Sequence, residues 1–120
     1  MATIGITGIE GLVGSHLRCY FHRIDGVNVI GADVKEFSSR DLLADFVRSS
    51  DVIVHLAGMN RGDETEVAET NVSITRQLID ACRSCRVSPH IVFSSSTHIY
   101  RGTLYGESKK RCSELLRKWS

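Results

Sequence analysis

Tyr105 and Lys109 stand four residues apart near the end of the sequence. On a helix this spacing places both side chains on one face. A free tyrosine has a pKa of about 10 and is a poor base at neutral pH, but a lysine ammonium one turn away stabilises the phenolate and lowers that pKa. Such a pair can move a proton while a carbonyl and an alcohol interconvert. Because the same spacing is common on ordinary surface helices, the pair alone does not establish this chemistry.

A hydroxyl that could polarise the same substrate oxygen comes from the serine run at residues 94–96. Ser96 is the first choice for this role and Thr97 the second. The run ends an apolar stretch at 90–94, which we predict to be a strand. A helical pattern at 105–119 follows and carries the Tyr/Lys pair.

Three glycines, Gly8, Gly11 and Gly14, follow an apolar run at residues 3–7. In a strand-to-helix turn, the first glycine permits the tight turn, the second lets a phosphate approach the backbone, and the third lets the helix lie close to the strand. The N–H groups at the start of the helix then face the anion. With a strand before it and a helix after it, the trio predicts a dinucleotide site.

The helix after the glycine turn is predicted to bury one apolar face. The residues at this spacing are Leu12, Val13, His16, Leu17, Tyr20, Phe21 and Ile24.

Asp33 follows a predicted strand at 27–32 and lies about 20 residues beyond the glycine turn, where an acidic side chain meets the adenosine ribose. A carboxylate there accepts hydrogen bonds from the ribose hydroxyls and repels a 2′-phosphate, which favours NAD over NADP. Lys35 and Arg40 stand nearby and could serve a 2′-phosphate, so NADP remains the alternative. Asp33 could also be a plain turn residue at the end of the strand.

Strands and helices alternate along the rest of the chain. Further strands are predicted at 51–56 and 90–94, and further helices at 40–49, 64–86 and 105–119. Four strands alternating with four helices predict a parallel α/β sheet in the order 2-1-3-4. His55, within the third strand, is interpreted as a packed residue. Asn71, on the apolar stripe of the long helix, is either a buried amide bonded to backbone or a brace for the active-site loop.

Composition narrows the class of protein. The 120 residues suffice for one domain, and 42% hydrophobic and 24% charged residues are ordinary for a globular protein. A formal charge of +1 with interspersed signs argues against nucleic-acid and membrane partners. No signal segment is recognised, and with four cysteines in no disulfide-dense pattern we expect a reducing, cytoplasmic setting. Cys82 and Cys85 are interpreted as two cysteines near a helix end, and no metal site is predicted.

Taken together, these motifs resemble the extended short-chain dehydrogenase/reductases, the NAD-dependent epimerase/dehydratase family. The residues that carry the resemblance are Thr7, Gly8, Gly11, Gly14, Asp51, Val52, residues 55–58, Asn71, Val72, residues 93–96, Tyr105, Gly106, Ser108 and Lys109. Residues 55–61, and the interval of about ten residues between the serines and Tyr105, look like the nucleotide-sugar 4-ketoreductases of capsule and O-antigen synthesis. Asp33 departs from those reductases, which favour NADP.

The resemblance implies a Rossmann-like, doubly wound parallel sheet, with residues 1–120 as the NAD(P)-binding domain and without the family's C-terminal substrate domain. Tyr105 would be the acid/base, Ser96 its partner and Lys109 the residue that tunes it. The implied cofactor-binding residues are Gly8, Gly11, Leu12, Val13, Gly14, Asp33, Leu56, Ala57, Gly58, Asn71, Ser94 and Lys109. The implied substrate is a nucleotide sugar, and the two long helices, 64–86 and 105–119, would form a homodimer.

Two other functions remain open at this point. One is a non-catalytic, dinucleotide-binding regulator of the same fold, although such proteins usually lack the Tyr-x-x-x-Lys pair. The other is an inactive, truncated remnant of the enzyme. Among the enzymes, an epimerase, a dehydratase and a reductase would share every motif named above.

Overall fold

The computed structural model describes residues 2–57, 63–93 and 104–119. The elements in chain order are β1 (Ala2–Thr7), α1 (Leu12–Phe21), β2 (Val27–Ala32), α2 (Val34–Phe37), α3 (Arg40–Ser49), β3 (Val52–His55), α4 (Glu64–Cys85), β4 (His90–Phe93) and α5 (Leu104–Trp119). Within these ranges, no helix has the length and apolar character that crossing a membrane requires.

The four strands form one parallel sheet in the order β2-β1-β3-β4, which confirms the predicted order. The register sets Thr7 beside Ala32 on one side and His55 on the other, and His55 beside Phe93. The carboxyl ends of all four strands therefore meet at one edge of the sheet, where open α/β sheets bind ligands.

Helices cover both faces of the sheet, as a doubly wound fold requires. Because crossovers between parallel strands are right-handed, α1, which leads from β1 to β2, lies on one face. The connections from β2 to β3 and from β3 to β4 run across the sheet in the opposite direction, so α3 and α4 lie on the other face. α5 packs beside α4. The main core lies under α3 and α4 and consists of Ala32, Leu43, Phe46, Val47, Ile53, Leu78 and Cys82.

The helix predicted after the glycine turn is confirmed as α1, but most of its apolar face is not buried. Leu12, Val13 and Tyr20 are exposed, and Gly14 is the one buried residue of this helix. Only Leu17 and Phe21 of the predicted face are half-buried. The physical reason is that α1 lies on the face of the sheet where no second described helix packs beside it.

The chain contains a short helix that the sequence analysis missed. α2 spans four residues directly after Asp33, too few to show a helical period, so the described elements include five helices rather than four. The backbone N–H of Asp33 donates to Glu36 Oε1 at 2.7 Å, which satisfies one donor at the start of α2. Ser39 caps the start of α3, since its Oγ accepts a hydrogen bond from Leu42 N at 3.3 Å.

His55 is fully buried on β3, as the interpretation of a packed histidine requires. Its Nδ1 lies 2.7 Å from Thr7 Oγ1, and its Nε2 lies 3.1 Å from Thr75 Oγ1 on α4. Burial, and secondarily the charge of Lys109, lower the pKa of His55 from 6.5 to about 4. The ring is therefore neutral at physiological pH, and acid must charge it inside the core.

This burial makes the stability of the fold depend on pH. In the unfolded chain His55 binds a proton below about pH 6.5, but the folded chain resists that proton until about pH 4. Between these values the unfolded state holds more protons, so stability falls as the pH falls. We expect His55 to account for a loss of about 2 kcal/mol between about pH 7 and about pH 4.5.

Urea unfolding at both pH values measures this loss. Because other groups titrate in the same window, the test is the difference between the wild type and His55→Asn, which cannot titrate. His22→Asn, the same substitution at an exposed histidine, provides the matched control. An equal acid-induced loss in the wild type and in His55→Asn would contradict the assignment.

Candidate functional site

A cleft of about 490 Å³ opens at the carboxyl edge of the sheet. Five residues that the sequence analysis assigned to cofactor binding line it together: Gly8, Gly11, Asp33, Leu56 and Ala57. The remaining lining residues are Val34, Phe37 and Ser38 from the α2 region and Thr70, Ile74 and Gln77 from α4. The last six were missed, because their distance along the chain gives no local signal.

The glycine turn forms one wall of the cleft, and two of its glycines are required by close approach. Gly8 has φ +71°, and a Cβ there would lie 3.1 Å from the Cα and N of Ala57. A Cβ on Gly14 would strike the carbonyl oxygen of Gly8 and lie 2.8 Å from Ile9 Cα. Since both neighbours of Gly14 are backbone atoms, no side chain can be placed there without moving α1 away from the turn.

The first turn of α1 presents backbone donors at this wall. Ser15 N donates to Gly11 O at 2.9 Å, the first hydrogen bond of the helix. The amides of Leu12, Val13 and Gly14 come before it and have no acceptor within the helix. Together with the helix dipole, they make this end of α1 suited to an anion such as a phosphate.

Asp33 has a structural role that the sequence did not reveal. Its Oδ2 accepts a hydrogen bond from the backbone N–H of Glu10 at 3.0 Å. The carboxylate therefore ties the end of β2 to the middle of the glycine turn, while the residue also borders the cleft. The interpretation of Asp33 as a plain turn residue does not account for this contact.

Thr7, the last residue of β1, connects the two walls of the cleft. Its Oγ1 accepts hydrogen bonds from Leu56 N at 2.9 Å and Ala57 N at 3.0 Å. This role was not predicted, although a threonine that ends an apolar run directly before the first glycine is a usable signal in the sequence. The hydroxyl holds the segment after β3 against the glycine turn.

Lys109 lies on α5, with 7% of its surface exposed. Its Nζ is 4.9 Å from the centroid of the Phe93 ring, a distance at which a cation is attracted to an aromatic face. Burial lowers the pKa of Lys109, and the neighbouring Cys112 partly offsets that effect. The ammonium is thus placed close to the end of β4, at the carboxyl edge of the sheet.

Several predicted site residues fall outside the described part of the chain. These are Gly58, Ser94, Ser96 and Thr97, together with the side chain of Tyr105. The backbone of Tyr105 does lie on α5, four residues before Lys109, as predicted. Their contribution to the site stays a prediction.

Asn71 is buried on α4 and is not among the residues that line the cleft in the described part of the chain. The backbone carbonyl oxygen of Asn71 accepts a hydrogen bond from Cys112 Sγ of α5 at 3.4 Å, so Asn71 helps to join the two helices.

Cys82 is also buried, and burial together with Cys85 raises its pKa to about 11. A thiol so hard to ionise is a packing residue, as expected for this pair.

Comparison with known proteins places this geometry in a family. The model of the NAD dependent epimerase/dehydratase family matches residues 4–114. A curated relative, UDP-2-acetamido-2,6-beta-L-arabino-hexul-4-ose reductase from Pseudomonas aeruginosa, is 32% identical over 112 residues. The match covers 92% of this chain but 30% of the reductase, so the chain spans less than a third of that relative's length.

Solved structures agree on the fold. CapF, a capsular polysaccharide assembling protein from Staphylococcus aureus, is 30% identical with a TM-score of 0.73, over 97% of this chain and 31% of CapF. UDP-glucuronic acid 4-epimerase from Bacillus cereus, solved with NAD, has a TM-score of 0.82 at 19% identity, over 98% of this chain and 52% of the epimerase. The match to the family model spans the sheet, the cleft and most of α5. The chain therefore belongs to the NAD-dependent epimerase/dehydratase family.

Proposed function

We propose that the chain binds NAD or NADP in the cleft and forms the dinucleotide-binding part of an oxidoreductase or epimerase that acts on a nucleotide sugar. One observation carries the proposal. The glycine turn, Asp33 and the Leu56–Ala57 backbone, which are distant in sequence, line one cleft at the carboxyl edge of the sheet. Structures of related proteins with NAD or with NADPH bound support the same assignment.

The residues of the cleft fit the parts of a dinucleotide. The amides of Leu12, Val13 and Gly14 would hold the pyrophosphate, and Gly11 would let it approach without a side chain in the way. Asp33 would accept hydrogen bonds from the adenosine ribose. Leu56 and Ala57 would pass beneath the cofactor, with Gly58 and Ser94 as the predicted continuation of this surface.

The reaction step is assigned to α5 and to the serine run before it. When bound, the dinucleotide would supply or accept hydride at its nicotinamide ring. Tyr105 would hold and transfer the proton at the substrate oxygen, with Ser96 donating a hydrogen bond to that oxygen. Lys109 would stabilise the phenolate and contact the nicotinamide ribose, and its position over Phe93 supports a fixed ammonium at this end of the helix.

The proposed substrate is a nucleotide-linked 4-keto sugar, reduced at its keto group. The reductase from Pseudomonas aeruginosa, whose name specifies a UDP-linked hexul-4-ose, supports this class. An epimerase is the second candidate, supported by the UDP-glucuronic acid 4-epimerase fold. Because the chain spans less than a third of the reductase, this substrate is proposed for the whole protein.

A homodimer through α4 and α5 is part of the proposal. The two helices pack side by side along a groove of about 650 Å³. Arg76, Asp80, Glu107 and Arg111 line it, so charges of both signs are available for a two-fold contact. Sedimentation equilibrium should give twice the monomer mass, and a monomer at all concentrations would remove this part of the proposal.

Gly11→Ala tests the phosphate seat. A Cβ at Gly11 would lie 3.2 Å from the Gly8 carbonyl oxygen, a contact that a shift of a few tenths of an ångström relieves. We expect stability to change by less than about 1 kcal/mol. Because the added methyl stands where the phosphate must pass, affinity for NADH in titration calorimetry should fall at least about tenfold. Unchanged affinity would place the dinucleotide elsewhere.

Asp33 variants test the choice between NAD and NADP. Asp33→Asn keeps an oxygen that can accept from Glu10 N but removes the charge, whereas Asp33→Ala removes both. If the carboxylate repels a 2′-phosphate, Asp33→Asn should shift the affinity ratio toward NADPH by about tenfold, or ~1.4 kcal/mol. Asp33→Ala should show the same shift in the affinity ratio. It should also bind both cofactors more weakly, because the glycine turn loses the hydrogen bond from Glu10 N to the Asp33 carboxylate.

The two variants separate the ribose contact from the structural tie. Equal ratios in the wild type and Asp33→Asn would show that the charge does not select the cofactor. If a folded wild-type chain binds neither NADH nor NADPH, the proposed function itself is overturned.

A further inference from the structure

We propose that His55, held as its Nε2–H tautomer between the hydroxyls of Thr7 and Thr75, is a positioning residue that fixes the cofactor cleft relative to the helix carrying Tyr105 and Lys109. The positioning role rests on the proposed function, whereas the tautomer rests on the hydrogen-bond geometry alone. His55 is a buried polar residue that takes no part in the proposed reaction.

The tautomer follows from the bonds of Thr7. A hydroxyl has one proton to donate and two lone pairs to accept with. Both lone pairs of Thr7 Oγ1 are used by the N–H groups of Leu56 and Ala57. Its proton is therefore left for His55 Nδ1 at 2.7 Å, so Nδ1 carries no hydrogen and Nε2 must carry one.

The same logic continues into α4 and α5. His55 Nε2–H donates to Thr75 Oγ1 at 3.1 Å. Burial raises the pKa of the Cys112 thiol on α5, and the Thr75 hydroxyl partly offsets that rise, so these two side chains lie near each other. Cys112 in turn donates to the carbonyl oxygen of Asn71, which can only accept. The donors that run from the amides of Leu56 and Ala57 through Thr7 and His55 to Thr75 thus all point in one direction.

A second contact joins His55 to the reactive helix. The Phe93 ring stacks on His55, with 5.6 Å between ring centroids and 30° between planes. Lys109 Nζ lies 4.9 Å from the centroid of the same Phe93 ring. His55 therefore contacts the cleft through Thr7, reaches α4 through Thr75 and reaches α5 through Phe93.

Removal of the Thr75 hydroxyl, which accepts from His55 Nε2–H, should loosen the backbone segment that borders the cleft. A buried Nε2–H without a partner is costly, and the ring can relieve that cost by moving or by shifting its proton to Nδ1. A proton on Nδ1 would give Thr7 Oγ1 a third donor, and the hydroxyl would have to release one of the two amides. The segment after β3 would then loosen against the glycine turn.

The experiment compares Thr75→Val, which keeps the shape but removes the hydroxyl, with Thr75→Ser, which keeps the hydroxyl. Thr75 lies on α4 and does not line the cleft. Thr75→Val should weaken NADH binding by about fivefold, the size of one hydrogen bond, and Thr75→Ser should restore most of it. Ile53→Val is the matched control. Ile53 is fully buried on β3, the strand that also carries His55, and its side chain makes none of the hydrogen bonds described above.

Two readouts need no cofactor. Nitrogen chemical shifts of the His55 imidazole report the tautomer, and we expect a bare Nδ1 in the wild type. Amide hydrogen exchange should rise at Leu56 and Ala57 in Thr75→Val but not in Thr75→Ser or Ile53→Val.

The outcomes separate this inference from the proposed function. A protonated Nδ1, or unchanged exchange at both amides in Thr75→Val, overturns the positioning role whatever the chain binds. If Ile53→Val weakens NADH binding as much as Thr75→Val does, the effect is one of general stability and the inference also fails. A wild type with the expected tautomer and exchange but no affinity for NADH would refute the cofactor assignment and the positioning role built on it.

Discussion

The hydroxyl of Thr7 limits how the chain can leave the sheet at its carboxyl edge. Two amides of the segment after β3 and the ring of His55 all converge on this one oxygen. Both amides are part-buried, and Leu56 N also donates to the backbone oxygen of Thr7 at 3.3 Å, so residue 7 supplies every acceptor that these two amides use. The path that this segment takes brings the backbone of Ala57 within van der Waals reach of Gly8, where a side chain has no room. The narrow cleft follows from that contact.

The sequence predicted those features that have a local period or a local motif. Alternating strands and helices gave the sheet order, because right-handed crossovers leave few other arrangements. The glycine trio and Asp33 were assigned to one site because a strand and a helix flank the turn. The structure brings these residues to the same cleft, whereas the expectation that they bind a dinucleotide comes from the motif and its spacing.

Other features depend on which surfaces meet in three dimensions, and no local pattern encodes them. The bond from Glu10 to Asp33 and the bond from Ala57 to Thr7 join residues 23 and 50 positions apart. The exposure of Leu12 and Tyr20 depends on what covers their face of the sheet, not on the amphipathic period that α1 shows. α2 is too short for any period. Such contacts could be found only by asking where each buried polar group obtains its partner.

The thin attachment of α1 has a consequence for the helix itself. Gly14 is its one buried residue, so little apolar surface holds the helix to the sheet beyond its first turn. Segments with few buried contacts open more readily than the core around them. An anion on the first amides of α1 would add bonds that exist only while those residues are helical. Binding of an anion at the glycine turn would then shift the local unfolding equilibrium of α1 toward the helical state. The bound molecule would stabilise the helix that binds it.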